Sequence, residues 1–350
     1  MNEKDAIADA DTYGLFPEST IQNGEVTFLN DLLQDEKVKR RLERINQEIE
    51  SYLGTDGEPK ILYDTAKHLL KAGGKRLRSL LVVLCCEAVG GDIEKALPYA
   101  VATEFAQTAS LIHDDVIDED ALRRGVESAH EKFGHKMAIL AGDLLVAQAV
   151  KMIGKYATAD LMVQIAEGGI RMCEGEAADM LMQADNPEVM TKDNYLDMVN
   201  KKTVSFIKAA ATMGATIGEG TDDQIKLLGI FGENLGFAFQ IRDDILNIIS
   251  STEIAGKAVH SDLLSKRCTY PLVHALEASS MKERESCLQA LSEGDVSEAL
   301  ILIKQTDAIS TAIELTKEYV TKAKSALVGQ YFVTATLLER IADFVLQRLH

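Results

Sequence analysis

Long amphipathic runs cut by short breakers constrain the fold of this chain more than any other feature. From about Val26 onward, apolar residues recur at helical spacing, and the pattern is interrupted at Gly54 to Pro59, Ala72-Gly73-Gly74, Gly90-Gly91, Gly134, Asn186-Pro187, Gly218 to Thr221 and Gly294-Asp295. Runs between these points often exceed about 15 residues, and no alternation of β-branched residues marks a sheet. The expected fold class is all-α, a bundle of long antiparallel helices. Residues 1–24 are polar and acidic, broken by Gly14-Leu15-Phe16-Pro17, and read as an N-terminal arm. With only 5 prolines and no Ser/Gly-rich linker, residues 25–350 are expected to form one helical domain.

Two acidic clusters lie on helix-like sequence, Asp114-Asp115-Val116-Ile117-Asp118 and Asp243-Asp244-Ile245-Leu246-Asn247. Positions four apart share a helix face at about 5–6 Å between Cβ atoms, so Asp114 with Asp118, and Asp243 with Asn247, each make an oxygen-rich claw. On a chain of net charge −18, a solvated helix face is the competing reading. Against it, Ser110-Leu111-Ile112 precedes the first cluster and Phe237 to Ile241 the second, and carboxylates facing a core are costly unless paired or metal-bound. Two facing claws suit Mg2+, a hard cation that takes carboxylate, water and phosphate oxygens. Arg123-Arg124-Gly125 follows the first cluster and offers guanidinium pairs for phosphate. The substrate these features imply is a diphosphate.

The acidic balance excludes a nucleic-acid partner, which would need a basic stripe; the cations sit instead in islands at Lys75-Arg76-Arg78, Arg123-Arg124, Lys201-Lys202 and Lys266-Arg267. Cys85, Cys86, Cys173, Cys268 and Cys287 are odd in number and lack C-x-x-C spacing, which points to reduced thiols and no zinc site. No apolar signal core opens the chain, and its longest apolar run, Leu80 to Cys86, is too short to span a bilayer. A soluble cytoplasmic protein is expected.

Taken in order, Gly73-Gly74-Lys75-Arg76-Leu77-Arg78, His113 to Asp118, Arg123-Arg124-Gly125, Gly142-Asp143, Lys202-Thr203, Gln240 to Asp244 and Gly256-Lys257 resemble the all-trans polyprenyl diphosphate synthases, from about Ala66 to Asp343-Phe344-Val345-Leu346-Gln347-Arg348. The resemblance implies a helical bundle around a central cavity, usually a homodimer. It also implies condensation of isopentenyl diphosphate with an allylic diphosphate by ionisation, carbocation attack and proton loss to the departing diphosphate. Leaving-group departure needs its growing charge neutralised, which is work for Mg2+ and for Lys and Arg clamps. By resemblance, Asp114, Asp118 and Asp243 are the principal metal ligands, supported by Asp115 and Asp244. Arg123, Lys202 and Lys257 would hold the allylic diphosphate, with Arg267 in the place of a further family lysine. Lys75, Arg78 and Arg124 would hold isopentenyl diphosphate, and Gln107 stands where the family contacts that substrate; a buried core amide is the other reading of Gln107. Thr203 and Gln240 match positions whose oxygens face the carbocation, although a helix threonine also bonds back to its own backbone.

Ala109 and Ala106 lie one and two turns before the first claw, where short-chain family members carry a bulky aromatic near the Ala109 position. A small residue removes that steric stop, so the expected product is of geranylgeranyl length or longer; close helix packing is the competing use of Ala109. The chain departs from the family pattern at Asn247, usually Asp, at Ser79, usually Pro, and at His260, Lys266 and Arg267 in the loop after Lys257. A weakly active or regulatory subunit of a hetero-oligomeric synthase would have a broken first motif, and here it is intact. A class I terpene cyclase would carry an N-x-x-x-S-x-x-x-E metal site, which the sequence lacks.

Overall fold

The computed structural model describes residues 32–53, 57–183, 186–249 and 260–347. The expected arm over 1–24, the start of periodicity at Val26, and Lys257 lie outside them. Sixteen α-helices run through the described residues: α1 Glu36–Leu53, α2 Lys60–Lys71, α3 Leu77–Ala88, α4 Ile93–Ile117, α5 Ala129–Phe133, α6 His135–Ile153, α7 Ala159–Leu181, α8 Lys192–Val199, α9 Ser205–Ile217, α10 Asp222–Ile249, α11 Ser261–Leu264, α12 Tyr270–Ala278, α13 Met281–Ser292, α14 Ser297–Gln305, α15 Ala308–Ser325 and α16 Ala335–Gln347. The fold is all-α, as the periodicity predicts. Its departures among the described residues are an isolated antiparallel bridge between Gln183 and Arg267 and a two-stranded ribbon, β1 Leu122–Arg123 paired antiparallel with β2 Val126–Glu127. Arg124 and Gly125 both take positive φ at its turn, as a two-residue primed hairpin loop requires.

α4 is buried on almost every side through its middle, from Ala96 to Ala109, because alanines there let α3 and α6 approach closely. α10 bridges two apolar cores: Leu228, Phe231 and Leu235 pack with α3, α4, α6 and α9, while Ile241, Ile245 and Ile248 pack with α8, α12, α14 and α15. The acidic residues of the first motif thus fall at the C-terminal end of α4, and those of the second about two turns before the end of α10. Neither helix carries a basic residue in its last turn. Negative side chains at a helix C-terminus oppose the macrodipole, so the end of α4, with Asp114 and Asp118, is electrostatically poor without a cation.

Candidate active site

A cavity of about 170 Å³ opens between the ends of α4 and α10. Asp114, Asp118, Arg123, Asp179, Lys202, Thr203, Gln240, Asp244, Asp262 and Arg267 form most of its wall, with Tyr195, Met198, Cys268 and Thr269. Asp114 closes the last turn of α4 and Asp118 is its C-cap, its N–H donating to Asp114 O at 2.8 Å. The four-residue spacing therefore puts both carboxylates at one helix end. Burial first, then Glu176 and Asp118, push the Asp114 carboxyl up to about 7, against the pull of Lys202 and Arg123. Asp115, by contrast, is fully buried and takes Arg123 Nε–H at 2.6 Å. Arg123 also donates to Asp120 at 3.0 Å, so the ribbon that carries it is locked onto the end of α4.

Lys202 sits on a π-helical turn, Asn200–Val204, between α8 and α9. Gly175 on α7 makes this placement possible: a Cβ there would stand 2.2 Å from the Lys202 backbone nitrogen. The contact brings the Lys202 ammonium to Glu176 at 2.7 Å and to Asp179 at 2.6 Å. Burial alone would lower the Lys202 pKa, but Asp179, Glu176 and Asp114 together raise it, so the ammonium stays charged. Arg267 pairs with Asp118 from the opposite side and lies 3.7 Å from Asp262.

The second claw is arranged differently. Of its residues only Asp244 is in the cavity wall among the described residues, and its oxygens are held by protein donors: Tyr195 Oη and Tyr270 N to Oδ2, Gln240 Nε2 to Oδ1. Burial pushes this carboxyl up to about 7 even though all three bonds pull it down. Asp243, 45% exposed, pairs with the Arg242 guanidinium at 2.5 Å. Asn247 Oδ1 accepts the Asp262 N–H at 3.2 Å, tying α10 to the start of α11. Thr203 Oγ donates to Gln240 Oε1 at 2.8 Å, so the two proposed cation-facing dipoles are in contact.

A second group of cations gathers around the start of α3. Gly74, at φ +139°, lies against the Arg124 guanidinium, which donates to Leu69 O at 3.0 Å and to Gly73 O. Arg78 lies over the rings of Phe206 and Phe239, 5.7 and 5.9 Å from their centroids, and the Lys75 ammonium is 5.6 Å over Phe344. Burial lowers the pKa of both Arg78 and Arg124. Arg76 does not join them. It is the N-cap of α3 at φ +51° and turns inward to Glu104 at 2.8 Å. Ser79, the departure from the family proline, lies 2.8 Å from that same carboxylate.

Gln107 and Ala106 are half-buried on α4 and Ala109 is buried. None of the three belongs to the cavity wall described above. Glu176, Asp179, Tyr195 and Asp262 are site residues that motif reading passed over. The run Gly175-Glu176-Ala177-Ala178-Asp179 carried a usable signal, two acids three apart behind a glycine on one helix.

Among the described residues no three acidic, His or Cys side chains converge as a ready metal cage. The donor set nevertheless fits Mg2+: Asp114 and Asp118 are hard oxygen donors, crowded by Glu176 and Asp179 at a negative helix end, and burial and like charge hold Asp114 above its ordinary range.

Residues 59–305 match the Polyprenyl synthetase family model. The chain is 37% identical over 316 residues to a short chain isoprenyl diphosphate synthase of Methanothermobacter thermautotrophicus, covering 88% of this chain and 95% of that one. The crystal structure of geranylgeranyl pyrophosphate synthetase from Pyrococcus horikoshii superposes with TM-score 0.83 at 33% identity, covering 91% of this chain and 98% of that chain. A polyprenyl synthase of Caulobacter crescentus, complexed with calcium and isoprenyl diphosphate, superposes at 0.82 with 30% identity over 94% of this chain and 100% of that chain. The helical architecture and the acid-lined cavity define a prenyl-transferring enzyme. The chain belongs to the polyprenyl synthetase family, the all-trans polyprenyl diphosphate synthases.

Proposed function

We propose that this enzyme joins isopentenyl diphosphate to an allylic diphosphate and releases an all-trans polyprenyl diphosphate of geranylgeranyl length or longer. The observation that carries the reading is the cavity in which the Asp114–Asp118 carboxylates stand opposite Lys202 and Arg267, beside the Thr203–Gln240 dipole pair. Asp114 and Asp118, with Asp243 from α10, would hold Mg2+, which supplies Lewis-acid neutralisation of the leaving diphosphate. Lys202, held protonated by Asp179 and Glu176, and Arg267 bind the allylic diphosphate; Lys257, outside the described residues, is assigned to the same group. Arg123, in the cavity wall and braced by Asp115 and Asp120, is assigned to the allylic diphosphate as well. Lys75, Arg78 and Arg124 receive isopentenyl diphosphate beside Gly73-Gly74, where the start of α3 favours an anion. Thr203 and Gln240 face the cation with oxygens rather than nucleophiles. The proton lost at the end goes to the departing diphosphate.

Purified enzyme incubated with labelled isopentenyl diphosphate, Mg2+ and allylic primers of one, two or three isoprene units should give chain-extended products. Absence of Mg2+-dependent condensation with every primer would falsify the reading. Buried Ala109, one turn below Asp114, is assigned to the wall that the growing tail passes. Ala109→Phe fills that space with a rigid ring, and the product is expected to shorten by at least one isoprene unit on chromatographic sizing. An unchanged product distribution removes Ala109 from the tunnel.

The enzyme is further assigned as a homodimer. Ile139, Leu140, Val146 and Val150 on α6, and Val163 and Ile170 on α7, are exposed, and α7 buries only Leu161 and Gly175 among its residues. Apolar faces of this kind on two consecutive long helices suit a self-complementary contact. Light scattering should give about twice the 38.3 kDa chain mass, and a single-chain mass at micromolar concentration sinks the assignment. Residues 25–350 are taken as one catalytic domain, since the described helices follow one another with short connections. Cytoplasmic location is in keeping with five free cysteines and with described helices none of which is long and apolar enough to cross a membrane.

A further inference from the structure

Tyr195 is buried on α8, and its role is absent from the motif pattern. Its hydroxyl donates to Asp244 Oδ2 at 2.5 Å, and the backbone N–H of Tyr270, in the first turn of α12, donates to the same oxygen at 2.8 Å. Gln240 Nε2 donates to the other oxygen at 2.9 Å, and Thr203 Oγ donates to Gln240 Oε1 at 2.8 Å. Every donor in this chain points toward Asp244. Asp244 Oδ2 already takes two donors and Oδ1 takes the Gln240 Nε2, so the carboxyl serves as acceptor on both sides and the Gln240 amide presents nitrogen to Asp244 and oxygen to Thr203. Thr203 then gives its single proton to Gln240. What remains for the cavity is the lone-pair side of the hydroxyl, the end that attracts a carbocation.

We propose that Tyr195 is a positioning residue that sets the polarity of the Asp244–Gln240–Thr203 hydrogen-bond chain, so that Thr203 turns its oxygen lone pairs to the reacting centre. The inference rests on the reading of Thr203 and Gln240 given above. Carboxylate rotation about its terminal torsion is soft, and two donors from different helices on Oδ2 stop it. Without the phenol, Oδ2 keeps one donor, the carboxylate plane is free to turn, and the Gln240 amide loses the partner that decides its orientation. The Tyr195 ring itself is held by Tyr270 at 5.8 Å between centroids in an edge-on contact, which phenylalanine preserves. The cation stabilisation so directed is realised only when charge develops, so it belongs to kcat rather than to binding.

The test uses the full-length enzyme with Mg2+, isopentenyl diphosphate and the two-isoprene-unit primer. Tyr195→Phe should lower kcat about tenfold while leaving both KM values within about twofold. Placing 4-aminophenylalanine at 195, which restores an N–H donor, should return most of the lost turnover. Thr203→Val should lower kcat by itself, and adding Tyr195→Phe to it should cost no more than about a further twofold, because the chain is already cut. A reduced Thr203→Val with an unchanged Tyr195→Phe overturns this inference alone. Multiplying losses in the double variant do the same. A Thr203→Val enzyme with wild-type kcat overturns the reading of Thr203 and the inference with it.

Discussion

Asp114→Ala is expected to remove Mg2+-dependent condensation while leaving the helical fold in place. Asp114 belongs to the claw whose carboxylates reach the cavity, at the negative end of α4 and across from Lys202. On the proposed assignment, this group holds the metal that stabilises transition-state charge on the departing diphosphate by several kcal/mol, which at about 1.36 kcal/mol per decade makes a loss on the order of 10³-fold in kcat. Folding should not suffer, because burial and the charges of Glu176 and Asp118 already disfavour the ionised carboxylate, and removing it relieves like-charge crowding around Asp118. Steady-state turnover at saturating Mg2+ and far-ultraviolet circular dichroism check the two halves together. Turnover within tenfold of the wild type would sink the metal assignment, and a lost helical signal would make the defect one of folding.

The second large effect is on stability. Glu104→Ala leaves the Arg76 guanidinium without its carboxylate in a site where the two side chains are 4% and 6% exposed. Breaking one side of a buried pair leaves an uncompensated charge and costs about 3–5 kcal/mol. Arg76 has further partners in Leu70 O at 2.8 Å and Asn46 Oδ1 at 3.4 Å, which keep it from escaping to water. Because Arg76 is the left-handed residue that starts α3, the loss should also disturb Lys75 and Arg78 on either side. A midpoint lower by roughly 10 °C in thermal unfolding is the expected readout. The pair Arg76→Met with Glu104→Leu should recover most of it, since apolar replacement of both partners is often neutral. A shift under about 2 °C for Glu104→Ala would show that water reaches the pair.

The glycine, proline and asparagine punctuation located the helix ends where a breaker is a backbone position with positive φ or a missing donor, as at Gly90, Gly134 and Gly294. Ends without such residues carried weaker signals or none. Asp307 takes φ +50° to start α15, and Ser280 starts α13 through a capping box with Glu283, a signature present in the sequence that was not read. The ribbon at Leu122–Glu127 was missed for a similar reason: its turn puts a non-glycine, Arg124, at φ +56°. The first claw was readable because its logic is local, two carboxylates four apart on one helix. The partners of the second were not, since the side chains of Asp243, Asp244 and Asn247 meet groups distant in sequence, Tyr195, Tyr270 and Asp262, and the neighbouring Arg242.

By itself, then, the sequence determined an all-helical chain, the acidic and basic motifs proposed above to hold a metal and two diphosphates, and the family to which they belong, because helical period, charge and short motifs are properties of neighbours along the chain. Tertiary structure decided which of those residues meet. Gly175 lets α7 touch the backbone of a π-turn, and only that contact places Lys202 between Glu176 and Asp179. Asp244 became a hydrogen-bonded hub because α8 and α12 close over the end of α10 and exclude water, leaving protein donors as its partners.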